Sequence, residues 1–351
     1  MQTADEIRKN IREIDEEILN LIQKRSVAAS SMGQLKAAQM LPLRVLDVEK
    51  VVMERYLSKA AETGISEEGL YEIVRVLLRE SVEIQAKIPR PSISKKILVI
   101  GGAGNMGRWM CDYFASRGHD VRVYDINKNE AYPNEVSIEE ASHQVDVIVI
   151  SSPIETIADI LNVIIASKTQ ALIFDIASIK SPFVELFQTM AGQGVHICSV
   201  HPMFGSRANG ITDRNVILCD CGNASAVCAA ETLFEGANIT KIDAAKHDEL
   251  MAYVLGLSHA LNIVFNATLM KSGVPFELFS SVSSTTFHKQ SELSIDVACD
   301  NAELYYMIQK ENPHNAHVFE DLKQLISELR ESDREAFLHC MLESKRYFSQ
   351  N

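Results

Sequence analysis

Paired cysteines, a basic surplus and long apolar runs are all missing from this sequence, and each absence removes a class of function. Seven cysteines stand at 111, 198, 219, 221, 228, 299 and 340 with no CxxC spacing among them. That scatter indicates neither a zinc site nor a disulfide framework, and it fits a reducing cytosol. Lysine and arginine number 34 against 47 aspartates and glutamates, leaving a net charge of −13. A surface of that sign does not displace counterions from phosphates, so nucleic acid is not an expected partner. No window approaches eighteen uninterrupted apolar residues, and residues 1–6 carry neither a basic n-region nor an apolar h-region. We therefore expect a cytoplasmic chain that is neither exported nor membrane-bound. The pair in His314-Asn315-Ala316-His317 lacks a convincing third ligand, so solvated helix-end histidines are expected there rather than a metal.

What is present is ordinary globular composition, 46% hydrophobic and 23% charged over 351 residues, enough for two or three domains with their own cores. Small-molecule chemistry is the class left standing. Starting at Ile7, the apolar residues Ile11, Ile14, Ile18 and Leu21 recur at spacings of four and three, and the register runs on through position 25 and Ala28 to Met32 and Leu35. This predicts one long helix that packs against other helices. Leu41-Pro42 breaks it; a second helix is expected over about 47–61, and a third, capped by Ser66, to about 87. Helices so unequal in length bury one another poorly within one chain, so this first domain, 1–88, is expected to dimerise by interlocking. Residues 89–95, with Pro89 and Pro91, read as a linker.

Short apolar runs follow at 97–101, 121–124, 145–151, 171–174, 195–200 and 216–219, mostly separated by helix-length segments. They predict a doubly wound α/β domain over 96–243. From 244 to 351 the chain is helical again. Its first helix, with Leu250, Met251, Val254, Leu257 and Leu261, is too apolar to be exposed on any side, and we expect it at a subunit interface.

The turn after the first strand reads Gly102-Ala103-Gly104-Asn105-Met106-Gly107. GxGxxG alone is a weak signal. Here Ile97-Leu98-Val99-Ile100 precedes it as a strand, Met106 onward reads as a helix, and Asp125 ends the next strand 23 residues after Gly102. In this Rossmann-like reading Gly102 allows the tight turn, Gly104 lets backbone approach a pyrophosphate, and Gly107 lets the helix pack on the strand. The helix N-terminus, opened by Asn105 and Met106, faces the phosphates. Asp125 would take the ribose hydroxyls and repel a 2′-phosphate, which favours NAD, while Arg122 and Lys128 keep NADP open.

Further on, Ser199-Val200-His201-Pro202-Met203-Phe204-Gly205 ends another strand. A histidine there, within reach of a nicotinamide, can accept a proton from a hydroxyl while hydride leaves the same carbon. The chain therefore reads first as a dehydrogenase; the alternative is a histidine satisfied by backbone. Asp175-Ile176-Ala177-Ser178-Ile179-Lys180 ends a further strand. Ser178 can hold the imidazole or a substrate hydroxyl and Lys180 can face a carboxylate, or both simply cap the next helix. Ser152 and Pro153, in Ser151-Ser152-Pro153, end a third strand and are expected to border the nicotinamide.

Together the segments GGAGNMG, SSP, FDIASIK, HPMFG and KHDELMAYVLGLSHAL resemble the prephenate dehydrogenase family. The resemblance implies NAD-dependent oxidative decarboxylation of prephenate to 4-hydroxyphenylpyruvate, with His201 hydrogen-bonding the C4 hydroxyl as hydride passes to NAD. It also places His247 and His259 near the substrate, the alternative for either being a core histidine, with His259 the stronger candidate because its helix is otherwise apolar.

The long N-terminal helix carries Arg25 where the stripe demands an apolar residue, and Leu21, Ile22, Ala28 and Ala29, one turn away, offer no carboxylate. Such a charge needs a partner from another helix or a bound anion, or else it snorkels to solvent. Ser81 and Gln85 likewise interrupt the stripe set by Leu70, Val74 and Leu77. The pattern is similar to that of the helical chorismate mutases, whose substrate-binding positions match Arg8, Arg25, Lys36, Glu49, Ser81 and Gln85. In that family the first arginine is donated across a dimer, so a homodimer is implied. A Claisen rearrangement needs a dicarboxylate clamped in a reactive conformer, with donors such as Lys36 and Gln85 on the ether oxygen. The whole chain thus resembles a chorismate mutase fused to a prephenate dehydrogenase, an enzyme of tyrosine biosynthesis, and tyrosine is the feedback inhibitor that the resemblance suggests.

Two positions depart from the families. The second-helix arginine of the mutases is Val48 here, and an arginine with which the dehydrogenases bind a substrate carboxylate aligns with Asp296. Arg207, just after HPMFG, is the expected substitute, with His288 and Lys289 behind it. Val48 keeps open a related enzyme acting on 4-amino-4-deoxy analogues, because loss of a cation relieves repulsion with an ammonium. A further reading makes one half a non-catalytic regulatory module, against which the joint presence of Arg8, Arg25, Lys36 and Gln85 speaks.

Overall fold

In the computed structural model, which describes residues 3–39, 41–88 and 94–349, the chain divides into two compact units. The first comprises Met1–Ser178 and Phe183–Ala244, and the second comprises Ile179–Pro182 and Ala245–Asn351. The expected linker at 89–95 lies, apart from residues 94 and 95, outside the described residues.

The first unit opens with α1 (Ala4–Ala38), whose start is fixed by a capping box: Thr3 Oγ1 accepts from the Glu6 amide, and the Glu6 carboxylate accepts from the Thr3 amide at 2.7 Å. Lys36 in its last turn suits the negative end of the helix dipole. The apolar stripe of Ile7, Ile11, Ile14, Ile18 and Leu21 stays exposed in the single chain. The expected second helix divides in two, α2 (Leu46–Leu57) and α3 (Ala60–Thr63), because Ser58 turns its hydroxyl onto the Arg55 carbonyl at 2.8 Å and Gly64 ends the second piece at φ +71. Ser66 caps α4 (Glu67–Ala86) by accepting from the Gly69 amide at 3.1 Å. Leu70 and Val74 of α4 form a small core with Val52, Met53, Tyr56 and Leu57 of α2.

A seven-stranded sheet makes up the rest of this unit: β1 (Lys96–Ile100), β2 (Asp120–Tyr124), β3 (Val147–Ile150), β4 (Leu172–Asp175), β5 (Ile197–Pro202), β6 (Asn215–Asp220) and β7 (Asn238–Asp243). Its order is β2-β1-β3-β4-β5-β6-β7, all parallel except for the antiparallel β5–β6 pair. The helices α5 (Asn105–Ser116), α6 (Ile138–Ser142), α7 (Ile157–Ala166), α8 (Val184–Gly192) and α9 (Ala224–Glu231) connect the strands. Strands β3, β4 and β5 are buried along their whole length, as expected of parallel strands covered on both faces. All six expected strands are present. The seventh, Asn-Ile-Thr-Lys-Ile-Asp, has no apolar run because it is a half-exposed edge strand that alternates.

The second unit is helical: α10 (Ala244–Met251), α11 (Ser258–Lys271), α12 (Phe276–Ser281), α13 (Thr285–Ala298), α14 (Ala302–Glu311), α15 (Asn315–Glu331) and α16 (Arg334–Ser349). Six residues in π-helical geometry, Ala252–Leu257, join α10 to α11 in one continuous rod of 28 residues. Its mean hydropathy reaches 1.4, long and apolar enough to cross a bilayer by composition. Its packing is that of a protein helix: Asn262 accepts from Gln290 at 2.8 Å and from Ser294 at 2.7 Å, tying α11 to α13. Leu250, Tyr253, Val254 and Leu261 are exposed in the single chain.

Asp248 is the buried polar centre of this unit. Its carboxylate accepts from the amides of Lys180 (2.9 Å) and Ser181 (2.7 Å), from the Ser181 hydroxyl and from Nδ1 of the fully buried His247 (2.6 Å). Burial alone would push the carboxyl up, but the bonds from His247, Ser181 and Lys180 outweigh it and hold Asp248 below the ordinary carboxylate range. A carboxyl lowered on folding adds stability that is present above its unfolded pKa and is lost as pH falls through the folded one. Asp248→Asn should cost about 2–4 kcal/mol in urea unfolding at pH 7. It should also remove part of the loss of stability that the parent shows on acidification below about pH 4.

Candidate active sites

The dinucleotide cradle forms where β1 turns into α5. Gly101 supplies the tight turn, at φ +83, and an added Cβ there would meet the Ser151 carbonyl oxygen at 2.6 Å. The turn thus falls one residue earlier than expected, and Gly102 is instead packed on Val123, where a Cβ would lie 2.6 Å from a methyl carbon. At Gly107 a Cβ would lie 2.0 Å from the Gly101 oxygen, so only glycine lets α5 start this close to the strand. Gly104 is the N-cap of α5 and provides no side-chain cap, which leaves the first-turn amides to a ligand or water. Asn105 and Met106 open that turn. Asp125 lies just past β2 with one carboxylate oxygen on the Ala103 amide (2.9 Å) and the other on the Asn127 amide (2.8 Å), so it faces the glycine turn. The two cations that kept NADP open are engaged elsewhere, Arg122 with Glu135 at 3.0 Å and Lys128 with Glu130 at 3.4 Å. These residues fit a dinucleotide with free ribose hydroxyls.

The sheet brings the next candidates to one edge. Ile100, Ile150, Asp175 and Ser199 stand in register across β1, β3, β4 and β5, so the residues that follow each strand emerge side by side. Ser152 and Pro153 follow β3, where the Ser152 hydroxyl accepts from Thr156 at 2.9 Å. Ser178 follows β4 and is half-buried; the fully buried Asp175 shapes this turn by accepting from the Ala177 amide at 2.8 Å. His201 sits in β5 opposite Ile217 of β6 and is only 3% exposed. Arg207 lies on the irregular connection 203–214 and is exposed.

Lys180 and His259 belong to the second unit. Lys180 is buried, with its amide on Asp248. The imidazole of His259 lies 4.4 Å from the Tyr305 ring, and burial pushes its pKa down, so the neutral form prevails. His247 is committed to Asp248, a core role. Asp296 is exposed on α13, and His288 pairs with Glu292 at 3.5 Å.

The helical candidates converge at the contact of α1 with α4. Arg25 donates to the Leu77 carbonyl at 2.5 Å and to the Ser81 hydroxyl, while Lys36 donates to the Leu43 carbonyl at 2.5 Å. Gln85 is buried where α4 presses on Gly33, at which a Cβ would lie 2.9 Å from the Gln85 Cα. Glu49 is held by Arg44, whose Nε reaches both carboxylate oxygens at 3.0 Å and whose Nη2 also pairs with Asp213 at 2.7 Å. Arg8 is not brought to this group: it is exposed and paired with Asp5 at 3.1 Å. Val48 is 59% exposed. Arg44 escaped the sequence reading because it precedes its helix and so breaks no apolar stripe.

The chain thus combines a helical cluster that carries Arg25, Lys36, Ser81 and Gln85 with a sheet whose glycine turn fits a dinucleotide, the arrangement of a two-part enzyme with a dehydrogenase half. Three family models match successive stretches: chorismate mutase type II over residues 7–86, the nucleotide-binding domain of prephenate dehydrogenase over 115–246 and the dimerization domain of prephenate dehydrogenase over 243–343. The glycine turn lies just before the second match. The T-protein of Haemophilus influenzae is 24% identical over 99% of this chain and 93% of its own length, and that of Enterobacter agglomerans is 22% identical over 97% and 92%. Among solved structures, prephenate dehydrogenase from Aquifex aeolicus, in complex with hydroxyphenyl propionate and NAD+, shares the fold at a TM-score of 0.59 and 20% identity, over 74% of this chain and 98% of that one. The chain belongs to the family of chorismate mutases fused to prephenate dehydrogenases, and it is an enzyme of tyrosine biosynthesis with both activities.

The crowding at Gly107 gives a direct test of the cradle. Gly107→Ala should lift α5 from the turn, costing roughly 1–3 kcal/mol in thermal unfolding, and should abolish saturable NAD binding in titration calorimetry while chorismate is still consumed.

Proposed function

We propose that prephenate is oxidised at the edge formed by the ends of β3, β4 and β5, and the observation that carries this assignment is the register that sets Ile150, Asp175 and Ser199 abreast, with Ser152, Ser178 and His201 following at neighbouring strand ends. NAD, when bound, supplies the hydride acceptor. His201 holds the C4 hydroxyl of prephenate and takes its proton as hydride leaves that carbon, and loss of carbon dioxide then aromatises the ring. Ser178 orients the imidazole or the hydroxyl. Arg207 takes the place of the arginine lost at Asp296 and binds a substrate carboxylate. The pairing of Arg122 and Lys128 with glutamates supports NAD over NADP.

In the helical domain Arg25, Ser81 and Glu49 bind chorismate, and Lys36 and Gln85 donate to its ether oxygen as charge develops there. Arg8, exposed and apart from these residues, is supplied by a second copy in the homodimer of this reading, which the exposed stripe of α1 and the exposed apolar face of 244–271 support. We place the enzyme in the cytoplasm, with tyrosine as a feedback inhibitor. Val48 is the one feature that favours 4-amino-4-deoxy substrates.

The first experiment incubates the protein with chorismate, with and without NAD. Chorismate should disappear in both, and NADH should form only in the second; absence of NADH even with added prephenate, but not with its amino analogue, overturns the assignment of prephenate. His201→Asn should lower dehydrogenase kcat by about 10²–10⁴-fold and leave the mutase rate unchanged. Arg207→Ala should raise the KM for prephenate and spare that for NAD.

A further inference from the structure

Helix α4 serves two sites with two faces. Ser81 and Gln85, four residues apart, share the face toward α1, where Arg25 donates to Ser81 and Gln85 backs onto Gly33. Glu83 stands between them, roughly 200° round the helix from each. It is a buried carboxylate, 8% exposed, and its Oε1 accepts from the amides of Ile211 (2.8 Å) and Thr212 (2.6 Å). Gly210, at φ +75, lies so close that an added Cβ would fall 2.2 Å from the Glu83 carboxyl carbon. Two amides on one fixed negative charge make a strong, directional seat.

The seated segment, 203–214, is the irregular connection that begins just after His201-Pro202, carries Arg207 and enters β6. Its second tether comes from the dinucleotide helix: Trp109 Nε1 donates to the Ala208 carbonyl at 2.8 Å, and the Trp109 ring lies 4.9 Å from that of Phe204. Trp109 is the sole tryptophan of the sequence.

We propose that Glu83 is a positioning residue of the dehydrogenase reaction: a carboxylate on the mutase helix sets the segment behind His201, so that prephenate binding in one half depends on an acceptor supplied by the other. The inference rests on the assignment of Arg207 and its segment to the prephenate site. Glu83 faces away from Arg25 and Gly33, so the mutase site of the proposed function makes no use of it.

The test compares Glu83→Ala and Glu83→Gln in the full-length protein. Glu83→Ala leaves both amides without their acceptor; it should raise the KM for prephenate about tenfold, leave the KM for NAD and the mutase rate unchanged, and shift the Trp109 emission to the red. Glu83→Gln keeps a carbonyl oxygen in the same place and should restore the parent KM and emission. An unchanged prephenate KM in a folded Glu83→Ala protein overturns the proposal. If that variant loses mutase activity as well, Gly210→Ala decides: it crowds the same contact from the sheet side, should reproduce the KM and emission changes, and overturns the proposal if it does not. Arg207→Ala, measured in parallel, separates the two readings. A rise in KM there without one in Glu83→Ala defeats the positioning role alone; a rise in Glu83→Ala without one in Arg207→Ala supports it and removes Arg207 as the ligand.

Discussion

The backbone register across the centre of the sheet decides where chemistry can happen in the dehydrogenase half. Ile100, Ile150, Asp175 and Ser199 lie abreast in four parallel strands, and parallel strands all deliver their following residues to the same edge. A slip of one residue would move every side chain of a strand to the opposite face of the sheet and shift where the residues after it emerge. The glycine turn, Ser152, Ser178 and His201 are therefore products of one hydrogen-bonded frame.

The second constraint is proximity of backbone without side chains between. Gly107 against Gly101 in the sheet domain and Gly33 against Gln85 in the helical domain are the same device. In each case a missing Cβ lets a helix approach closely: the bare first turn of α5 against the strand end in one, and α4 at Gln85 against α1 in the other.

Much of this was legible beforehand, for reasons that can be named. Buried parallel strands announce themselves as apolar runs, and the α1 stripe announced its own exception at Arg25. The edge strand β7 was missed because a half-exposed strand alternates, and the break at Ser58 because one hydroxyl diverts the chain. Gly102 was given the turn that Gly101 makes, since both fit the motif and only φ separates them. Arg44, Glu83 and Asp248 carried no signal. Each is an ordinary charged residue in sequence, and each acquires its role from amides or carboxylates that folding brings from far along the chain.

The four residues Ile179–Pro182 belong by contact to the second unit although the first unit flanks them on both sides in sequence. They hold Asp248 by two amides and a hydroxyl. A gene split after Ala244 would therefore part the acceptor from its donors, and the released C-terminal piece would carry a carboxylate in its interior with most of its hydrogen bonds gone. Exchange of this helical unit between genes is hindered for the same reason, since a donated module arrives without the short stretch that completes it.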